Sequence, residues 1–329
     1  MKNLQEIVDL ASAYYGSAVL FAAIDVGLFA RVERGEFVGA AEPPRPLRLL
    51  LDACVAEGLL VKSPAGYANT EAGRLALIPG AGADLTRAIR YNRDVYPAWG
   101  RLAEFAETGR PVERPALHLG EDADRTKTFA ASMFGRAMGI GKGVVPMLKD
   151  LWPTSGPVRA LDLAGGPAAY AILMCRENPA LECVTVDLGP ISAEARGYVE
   201  KFGLSDRIEC RVGDYHADEY EPGAYDVVTI FGALHQESSA AIAEILRRAY
   251  RALRPGGHLA VLDLMTDATR TSPKFSALFA VNMALTTEHG WVFADEELKR
   301  WMREAGFEPG ATLQVPPPMP HWLVTAVKR

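Results

Sequence analysis

The spacing of apolar residues changes near residue 150 of the chain. Before that point, apolar positions recur with helical spacing over residues 11–30, 47–60, 88–107 and 125–148. The second of these segments is followed by a short apolar run, a Pro/Gly turn at 63–66 and a second short run, after which Thr70 is placed to cap another helix. A helix, two short strands and a helix in this order are typical of a winged helix. The pattern therefore predicts a mostly helical N-terminal winged-helix domain.

From residue 158 onward, short apolar runs alternate with amphipathic helices. The predicted strands are 158–163, 182–187, 208–212, 225–231, 258–264 and 322–328, and the predicted helices between them are 168–177, 192–202 and 238–253. Such alternation indicates a parallel α/β sheet with right-handed crossovers. We therefore predict two domains: a winged-helix domain over residues 1–98, and linker helices plus a Rossmann-like α/β domain over 99–329.

Composition and charge narrow the class of protein. The 329 residues are 49% hydrophobic and 23% charged, and a formal net charge of −6 argues against a nucleic-acid-binding protein. An uncharged run of about 18 apolar residues is missing, so we predict no membrane span. The start of the chain lacks a signal-peptide pattern, which favours the cytoplasm. The four cysteines have no C-x-x-C spacing and are expected to be reduced thiols.

A candidate ligand site follows the first strand of the α/β domain. There the chain reads Asp162-Leu-Ala-Gly-Gly-Pro, and glycines at a strand-to-helix turn let a ligand approach the backbone closely. Asp187, 21 residues after Gly166, ends the next strand and is placed to bind a ribose diol. The third glycine of a dinucleotide fingerprint is missing. Asp162 would repel a pyrophosphate, whereas it could hold a cationic ligand that carries an amino group and a sulfonium.

A third station follows the third strand, at Gly213-Asp214-Tyr215. Asp214 could accept a hydrogen bond from an adenine amino group, and Tyr215 could pack on the ring. Because the carboxyl ends of parallel strands share one sheet edge, the three stations together predict an adenosyl site. The candidate cofactor residues are Asp162, Ala164, Gly165, Gly166, Asp187, Leu188, Gly213, Asp214, Tyr215 and Phe231.

These stations resemble those of class I S-adenosylmethionine methyltransferases. More narrowly, the chain resembles the O-methyltransferase group that carries an N-terminal winged-helix dimerisation domain. Residues 161–166 are similar to the first methyltransferase motif, 186–190 to the family's D-L-P, and 253–257 to its turn before strand five. The resemblance covers nearly the whole chain. It implies S-adenosylmethionine as cofactor, a small-molecule acceptor, and a homodimer formed through the N-terminal domain.

The resemblance also implies a catalytic base. His235 follows the fourth strand at the position of the family's general base, and a free imidazole, with a pKa near 6.5, suits proton abstraction. Two departures stand out: Gln236-Glu237 replaces the usual Asp-Trp, and Ala164 replaces the first glycine of the motif. Glu288 is a candidate to orient a catalytic histidine.

The segment that contains Glu288 and His289 opens an alternative. Thr286 to Gly290 occupies the place where O-methylating relatives tend to have Glu-Gly-Gly, so His289 could face His235. With Gln236, the two histidines could hold a divalent or ferric transition metal. This arrangement resembles the 2-oxo acid C-methyltransferases, in which a metal stabilises an enolate. Candidate acceptor-pocket residues come from the helix over 275–285 and from an earlier helix: Met133, Met138, Phe279, Asn282 and Met283.

Four functions thus remain open from the sequence. The first is O-methylation of a small-molecule hydroxyl with His235 as base, and the second is metal-dependent C-methylation of a 2-oxo acid. The third is a winged-helix DNA-binding regulator, which is disfavoured because residues 35–80 carry four basic and five acidic side chains. A relative that keeps the cofactor for other chemistry, such as decarboxylation, is a further alternative.

Overall fold

The chain folds into two compact units, Met1–Asp94 and Val95–Arg329. The structure is a computed structural model, and it describes residues 2–39, 42–114, 119–153, 155–316 and 320–329. The boundary between the units lies inside a helix, Thr86–Trp99, a few residues before the boundary predicted at residue 98.

The N-terminal unit is helical with one small hairpin. Its elements are α1 (Leu4–Ser12), α2 (Tyr14–Asp25), α3 (Leu28–Glu33), α4 (Arg45–Ala56), β1 (Leu60–Ser63), β2 (Gly66–Asn69), α5 (Glu71–Ala76) and the first part of α6 (Thr86–Trp99). The two strands pair antiparallel, as the winged-helix pattern predicts. The helix predicted over 11–30 is broken at Gly27, whose φ of 63° lies in the left-handed region that favours glycine. The Thr70 hydroxyl caps α5 by accepting from the amide of Gly73 at 3.1 Å.

The first two helices expose much of their apolar surface. Together they form one stretch, Leu4–Asp25, that is long and apolar enough by length and composition to cross a membrane. Leu4, Val8 and Tyr15 are all more than half exposed. Exposed apolar surfaces of this kind mark places where a protein meets a partner or a membrane. The absence of a membrane span, expected from the sequence, therefore stays a prediction.

The C-terminal unit contains the remaining elements. Its helices after α6 are α7 (Leu102–Thr108), α8 (Ala123–Val144), α9 (Ala169–Glu177), α10 (Gly189–Lys201), α11 (Ser239–Ala252), α12 (Lys274–Thr286) and α13 (Asp295–Glu304). Its strands are β3 (Val158–Leu163), β4 (Leu181–Asp187), β5 (Ile208–Val212), β6 (Tyr225–Phe231), β7 (Leu253–Asp263), β8 (Phe307–Gln314) and β9 (Trp322–Lys328). The helix predicted over 88–107 is divided into α6 and α7 just after Pro97.

The seven strands form one sheet in the order β5-β4-β3-β6-β7-β9-β8. The first five are parallel, as the alternation of strands and helices predicts, and β9 runs antiparallel to both neighbours. The edge strand β8 is missing from the sequence prediction, because Pro309 and Gly310 interrupt it and its register shifts before Thr312. The chain reverses direction across the sheet between β3 and β6. Ligands of doubly wound sheets bind outside the carboxyl ends of the strands at such a switch point.

Helices cover both faces of this sheet. Buried residues of α8, α9 and α10 pack on one face, and buried residues of α11 and α13 pack on the other. Every residue of β6 is buried, including Asp226 and Thr229, which is why its sequence shows no alternation of apolar and exposed polar positions. The two layers therefore hold the carboxyl ends of β3, β4, β6 and β7 at fixed positions along one edge.

Candidate active site

Asp162 is buried in β3 with one carboxylate oxygen unpaired. Asp162 is only 1% exposed, and its Oδ1 accepts a hydrogen bond from the Thr229 hydroxyl at 2.6 Å. Oδ2 has no hydrogen-bond partner among the described residues. Burial, together with the nearby charge of Asp187, raises the pKa of Asp162 to about 7. An unpaired buried carboxylate oxygen is unfavourable, so this site fits an incoming group that is cationic and donates hydrogen bonds.

The turn after β3 leaves room for a ligand beside the backbone. A Cβ on Gly165 would lie 1.9 Å from Thr185 Oγ1 and 2.6 Å from Asp162 Oδ2, so only glycine fits there. Gly166, with a φ of 56°, has open space where a Cβ would project. Ala164, which stands at the family's first glycine, adopts a φ of 52°. That conformation costs about 1–2 kcal/mol for a residue with a Cβ, so Ala164 replaces the glycine with local backbone strain.

Asp187 sits at the end of β4 with its carboxylate tied to the backbone. Oδ2 accepts from the amide of Gly166 and Oδ1 from the amide of Leu188, each at 2.8 Å. Burial raises the pKa of Asp187 and outweighs these two hydrogen bonds. A carboxylate has about four acceptor positions, so it can still accept from two hydroxyls. Leu188 exposes 37% of its surface beside it, so the pair can hold a diol next to an apolar ring.

At the Gly213 station, Asp214 and Tyr215 make contacts that were not predicted from the sequence. The Tyr215 hydroxyl donates to Glu237 Oε1 at 2.7 Å, and its ring stacks on the imidazole of His216 with centroids 4.3 Å apart. Asp214 Oδ1 accepts from the backbone amide of His216 and contacts its Nδ1 at 2.8 Å. Both predicted adenine-binding side chains are thus held by a network around His216, and their contact with adenine stays a prediction.

His235 and Asp263 form a close pair at the carboxyl ends of β6 and β7. His235 lies in the 3₁₀ turn Leu234–Gln236, and its Nδ1 is 2.6 Å from Asp263 Oδ1. Its backbone amide donates to Asp263 Oδ2 at 3.2 Å. Asp263 is 1% exposed. A carboxylate at Nδ1 favours the tautomer that carries its proton there, which leaves Nε2 as the acceptor of a neutral imidazole.

The predicted acceptor-pocket residues occupy several environments. Phe279 lies against His235, edge to face, with ring centroids 5.1 Å apart. Asn282 is buried, and its Oδ1 accepts from the indole N–H of Trp99 at 2.9 Å. Met283 is also buried, whereas Met133 and Met138 on α8 are partly exposed. The structure therefore brings Phe279 to the candidate base directly.

Glu288 and His289 are both exposed, in the segment after α12. The carboxylate in contact with His235 is Asp263, not Glu288. Among the residues that the structure describes, no group of three or more His, Cys, Asp or Glu side chains is arranged to hold a metal ion. These contacts give no support to a metal held by His235, Gln236 and His289.

Several side chains at this edge were not singled out from the sequence. Asp263 carried a usable signal, since it is an acidic residue at the end of the strand after the one that leads to His235. His321 directly precedes Trp322, which pairs with Asp263 across the sheet. Burial lowers the pKa of His321 to about 4, so its imidazole is neutral at physiological pH. Within the described ranges, its Nδ1 is enclosed without a hydrogen-bond partner.

Comparison with known proteins identifies the family. A family model described as the O-methyltransferase domain matches residues 117–308, and one described as the O-methyltransferase dimerisation domain matches residues 8–78. The chain is 29% identical to a 3-hydroxy-5-methyl-1-naphthoate 3-O-methyltransferase of Streptomyces sahachiroi, over 98% of this chain and 94% of that protein. It is also 29% identical to the tetracenomycin polyketide synthesis 8-O-methyl transferase TcmO of Streptomyces glaucescens, over 95% and 94% of the two chains.

The fold agrees with this result. The crystal structure of human N-acetylserotonin methyltransferase in complex with S-adenosylmethionine superposes with a TM-score of 0.83, at 22% identity, over 99% of this chain and 98% of that one. The chain belongs to the O-methyltransferase family. It is an S-adenosylmethionine-dependent methyltransferase that acts on a small molecule, with a dimerisation domain at its N-terminal end. The resemblance stated from the sequence is confirmed, and neither the C-methylation nor the DNA-binding alternative is supported.

The residues of the site fit this cofactor. The unpaired Oδ2 of Asp162 suits its ammonium group, and the open space before Gly166 admits it to the backbone. Asp187 has acceptor positions for ribose hydroxyls.

Replacement of Gly165 should damage the cofactor turn. In Gly165→Ala the new Cβ overlaps Thr185 Oγ1, and overpacking of this kind costs about 1–3 kcal/mol. We expect a lower melting temperature and weaker binding of S-adenosylhomocysteine in a calorimetric titration. Gly197→Ala on α10 is the matched control, because no atom lies within 4 Å of its new Cβ. Equal affinities for wild type and Gly165→Ala would contradict the expectation.

The raised pKa of Asp162 makes stability depend on pH. Between about pH 4, where a free aspartate ionises, and about pH 7, folded Asp162 keeps a proton that the unfolded chain has lost. The contribution of Asp162 to the stability of the ligand-free protein should therefore fall as the pH rises through this window. Asp162→Asn removes the group, so the melting temperature of wild type relative to this variant should fall with rising pH. A difference that is constant with pH would disprove this account.

Proposed function

We propose that the enzyme methylates a hydroxyl on an aromatic small molecule, with His235 as the general base and Asp263 as the carboxylate that orients it. The observation that carries the proposal is the contact of 2.6 Å between His235 Nδ1 and Asp263 Oδ1 at the ligand edge of the sheet. A hydroxyl becomes a good nucleophile only when it loses its proton. A base held in position beside the acceptor supplies that step.

The pair performs this step by holding one tautomer and one orientation of the ring. With Nδ1–H donated to Asp263, Nε2 of His235 is free to take the proton of the acceptor hydroxyl. The ring that has taken the proton still lies against the buried carboxylate of Asp263, which holds its orientation. Asp263 also accepts from the His235 amide, so the same side chain sets both the turn and the ring.

Other residues at this edge would hold the cofactor. We assign Asp162 to the ammonium group, Asp187 to the ribose hydroxyls, and Leu188 to the apolar face of the adenine. When bound, S-adenosylmethionine supplies an electrophilic methyl group on a sulfonium. Catalysis by the chain then depends chiefly on alignment of the acceptor oxygen with that group, since little other chemistry is needed.

An aromatic acceptor is supported by two observations. Phe279 packs edge to face against His235, and Phe275 stacks on Phe279 with centroids 6.3 Å apart, so aromatic surface borders the base. Two relatives of the chain are named for a hydroxynaphthoate and for a polyketide. Hydroxynaphthoates are therefore the first acceptors to test, with S-adenosylhomocysteine formation as the readout.

We also propose that the chain forms a homodimer through its N-terminal unit. The dimerisation-domain match begins at Val8, in the helix whose exposed face contains Leu4, Ile7 and Val8. Burial of such a face removes apolar surface from water and so favours association.

Variants of the pair should test the base. We expect His235→Asn to lower kcat by at least roughly a hundredfold, because the base is lost. Asp263→Asn should lower kcat by roughly a hundred- to ten-thousandfold, because the imidazole then loses its tautomer and orientation. His258→Asn, in the middle of β7 and five residues before Asp263, is the control and should keep wild-type turnover. Full activity of His235→Asn toward a hydroxylated acceptor would refute the proposal.

Light scattering should test the dimer. We expect a mass near twice 35.6 kDa for wild type, and a shift toward the monomer for Val8→Asp, which places a charge on the apolar face. Val38→Asp is the control, since Val38 is equally exposed in the same unit but lies outside α1 and α2. A wild-type protein that is monomeric at micromolar concentration would exclude the dimer.

A further inference from the structure

The turn that carries His235 is held from one side by a single tryptophan. The backbone amide of Trp291 donates to the carbonyl of His235 at 2.9 Å, and its indole N–H donates to the carbonyl of Glu237 at 2.8 Å. The two carbonyls flank Gln236, so Trp291 holds the backbone on both sides of the base. The side chain of Glu237, which belongs to the same turn, contacts Tyr215 and His216.

The Glu237 carboxylate is almost fully buried and has two donors. The residue is 8% exposed. Oε1 accepts from the Tyr215 hydroxyl at 2.7 Å, and Oε2 lies 2.8 Å from Nε2 of His216. A buried carboxylate is tolerated when charged or hydroxyl donors satisfy it, as they do here. Glu237 therefore ties the turn of the base to the segment 215–216.

His216 continues the chain of contacts to Asp214. Its Nδ1 lies 2.8 Å from Asp214 Oδ1, so its two ring nitrogens face two different carboxylates. Only the imidazolium can donate from both nitrogens, because the neutral ring would turn a lone pair toward one carboxylate. Burial acts to lower the pKa of His216, but the hydrogen bonds and charges of Glu237 and Asp214 outweigh it and raise the pKa above its ordinary value.

We propose that His216 and Glu237 are positioning residues that form a charged link between the Gly213–His216 segment of the cofactor edge and the turn that carries His235. This positioning role depends on the proposed role of His235 as base. The link aligns the base with the cofactor by joining the ends of β5 and β6, which are not neighbours in the sheet. It is intact while His216 is protonated and weakens as the pH rises through the raised pKa of this residue.

Other charged groups also face the link and bear on its titration. The positive charge of Arg248 favours the ionised form of Asp214, and the negative charge of Asp187 disfavours ionisation of Tyr215. Asp218 accepts a hydrogen bond from the Asp214 amide at 3.0 Å. These contacts lie on the Asp214 and Tyr215 side. The contact between His216 and Glu237 can therefore be removed without changing these other contacts.

The link itself can be tested without turnover. In NMR spectra of protein labelled at histidine, His216 is assigned by the signal that disappears in His216→Asn. We expect its titration midpoint to move to lower pH in Glu237→Gln, which keeps the shape of the side chain and removes its charge. Glu296→Gln, an exposed glutamate paired with Lys299 on α13, should leave the midpoint unchanged. An unchanged midpoint in Glu237→Gln would overturn the link.

The positioning role is tested by kinetics. We expect His216→Asn and Glu237→Gln each to lower kcat at neutral pH by roughly tenfold, because the base is displaced. Glu237→Gln leaves the contact of His216 with Asp214 in place, so its KM for S-adenosylmethionine should change little. The double variant should be no worse than either single variant, as expected for one interaction. We expect the kcat of wild type to fall as the pH rises through the pKa of His216, and this fall should be absent in His216→Asn. Tyr215→Phe should lower kcat less than either variant. His258→Asn is the control.

The outcomes separate the two proposals. Wild-type kcat and pH profile in His216→Asn would overturn the positioning role. Full activity in His235→Asn would overturn the base, while the NMR titration would still report whether the link exists. If Glu237→Gln does not fold, His216→Asn and Tyr215→Phe carry the kinetic test.

Discussion

The parallel pairing of β3, β4, β6 and β7 is the constraint on which the site depends. Parallel strands place all of their carboxyl ends at one edge, so residues far apart in the chain meet there without any loop that spans the sheet. Asp162, Asp187, His235 and Asp263 all belong to that edge. Helices on both faces bury the strands and hold these ends rigidly, which methyl transfer requires because alignment is most of its catalysis.

Buried carboxylates lie along this edge, and each has different hydrogen-bond partners. Asp162 keeps one unpaired oxygen and has a raised pKa, which fits a cationic ligand. Asp263 accepts from the ring and the amide of one histidine. Glu237 accepts from a phenol and an imidazole. Because a buried carboxylate is unfavourable without partners, the partners of each one support the role proposed for it: to bind a ligand, to orient a base, or to join two segments.

Local sequence was sufficient for most of the fold. Apolar periodicity predicted the five parallel strands and the helices between them, since each element buries one regular stripe or run. It failed where one residue interrupts a pattern. Gly27 breaks the helix predicted over 11–30, and the helix predicted over 88–107 ends soon after Pro97. The strand β8 escaped prediction because a proline, a glycine and a register shift hide its alternation.

The candidate cofactor residues and the candidate base could be predicted from the linear pattern. The motif at Asp162 to Gly166, the acid at Asp187 and the histidine after β6 all lie at strand ends, which the alternation of strands and helices reveals. The contacts between these side chains could not be predicted in this way. Asp263 meets His235 across 28 residues, and Glu237 meets His216 across 21. Such contacts depend on the strand order in the sheet and the direction of each side chain, and neither is written in the spacing of residues along the chain.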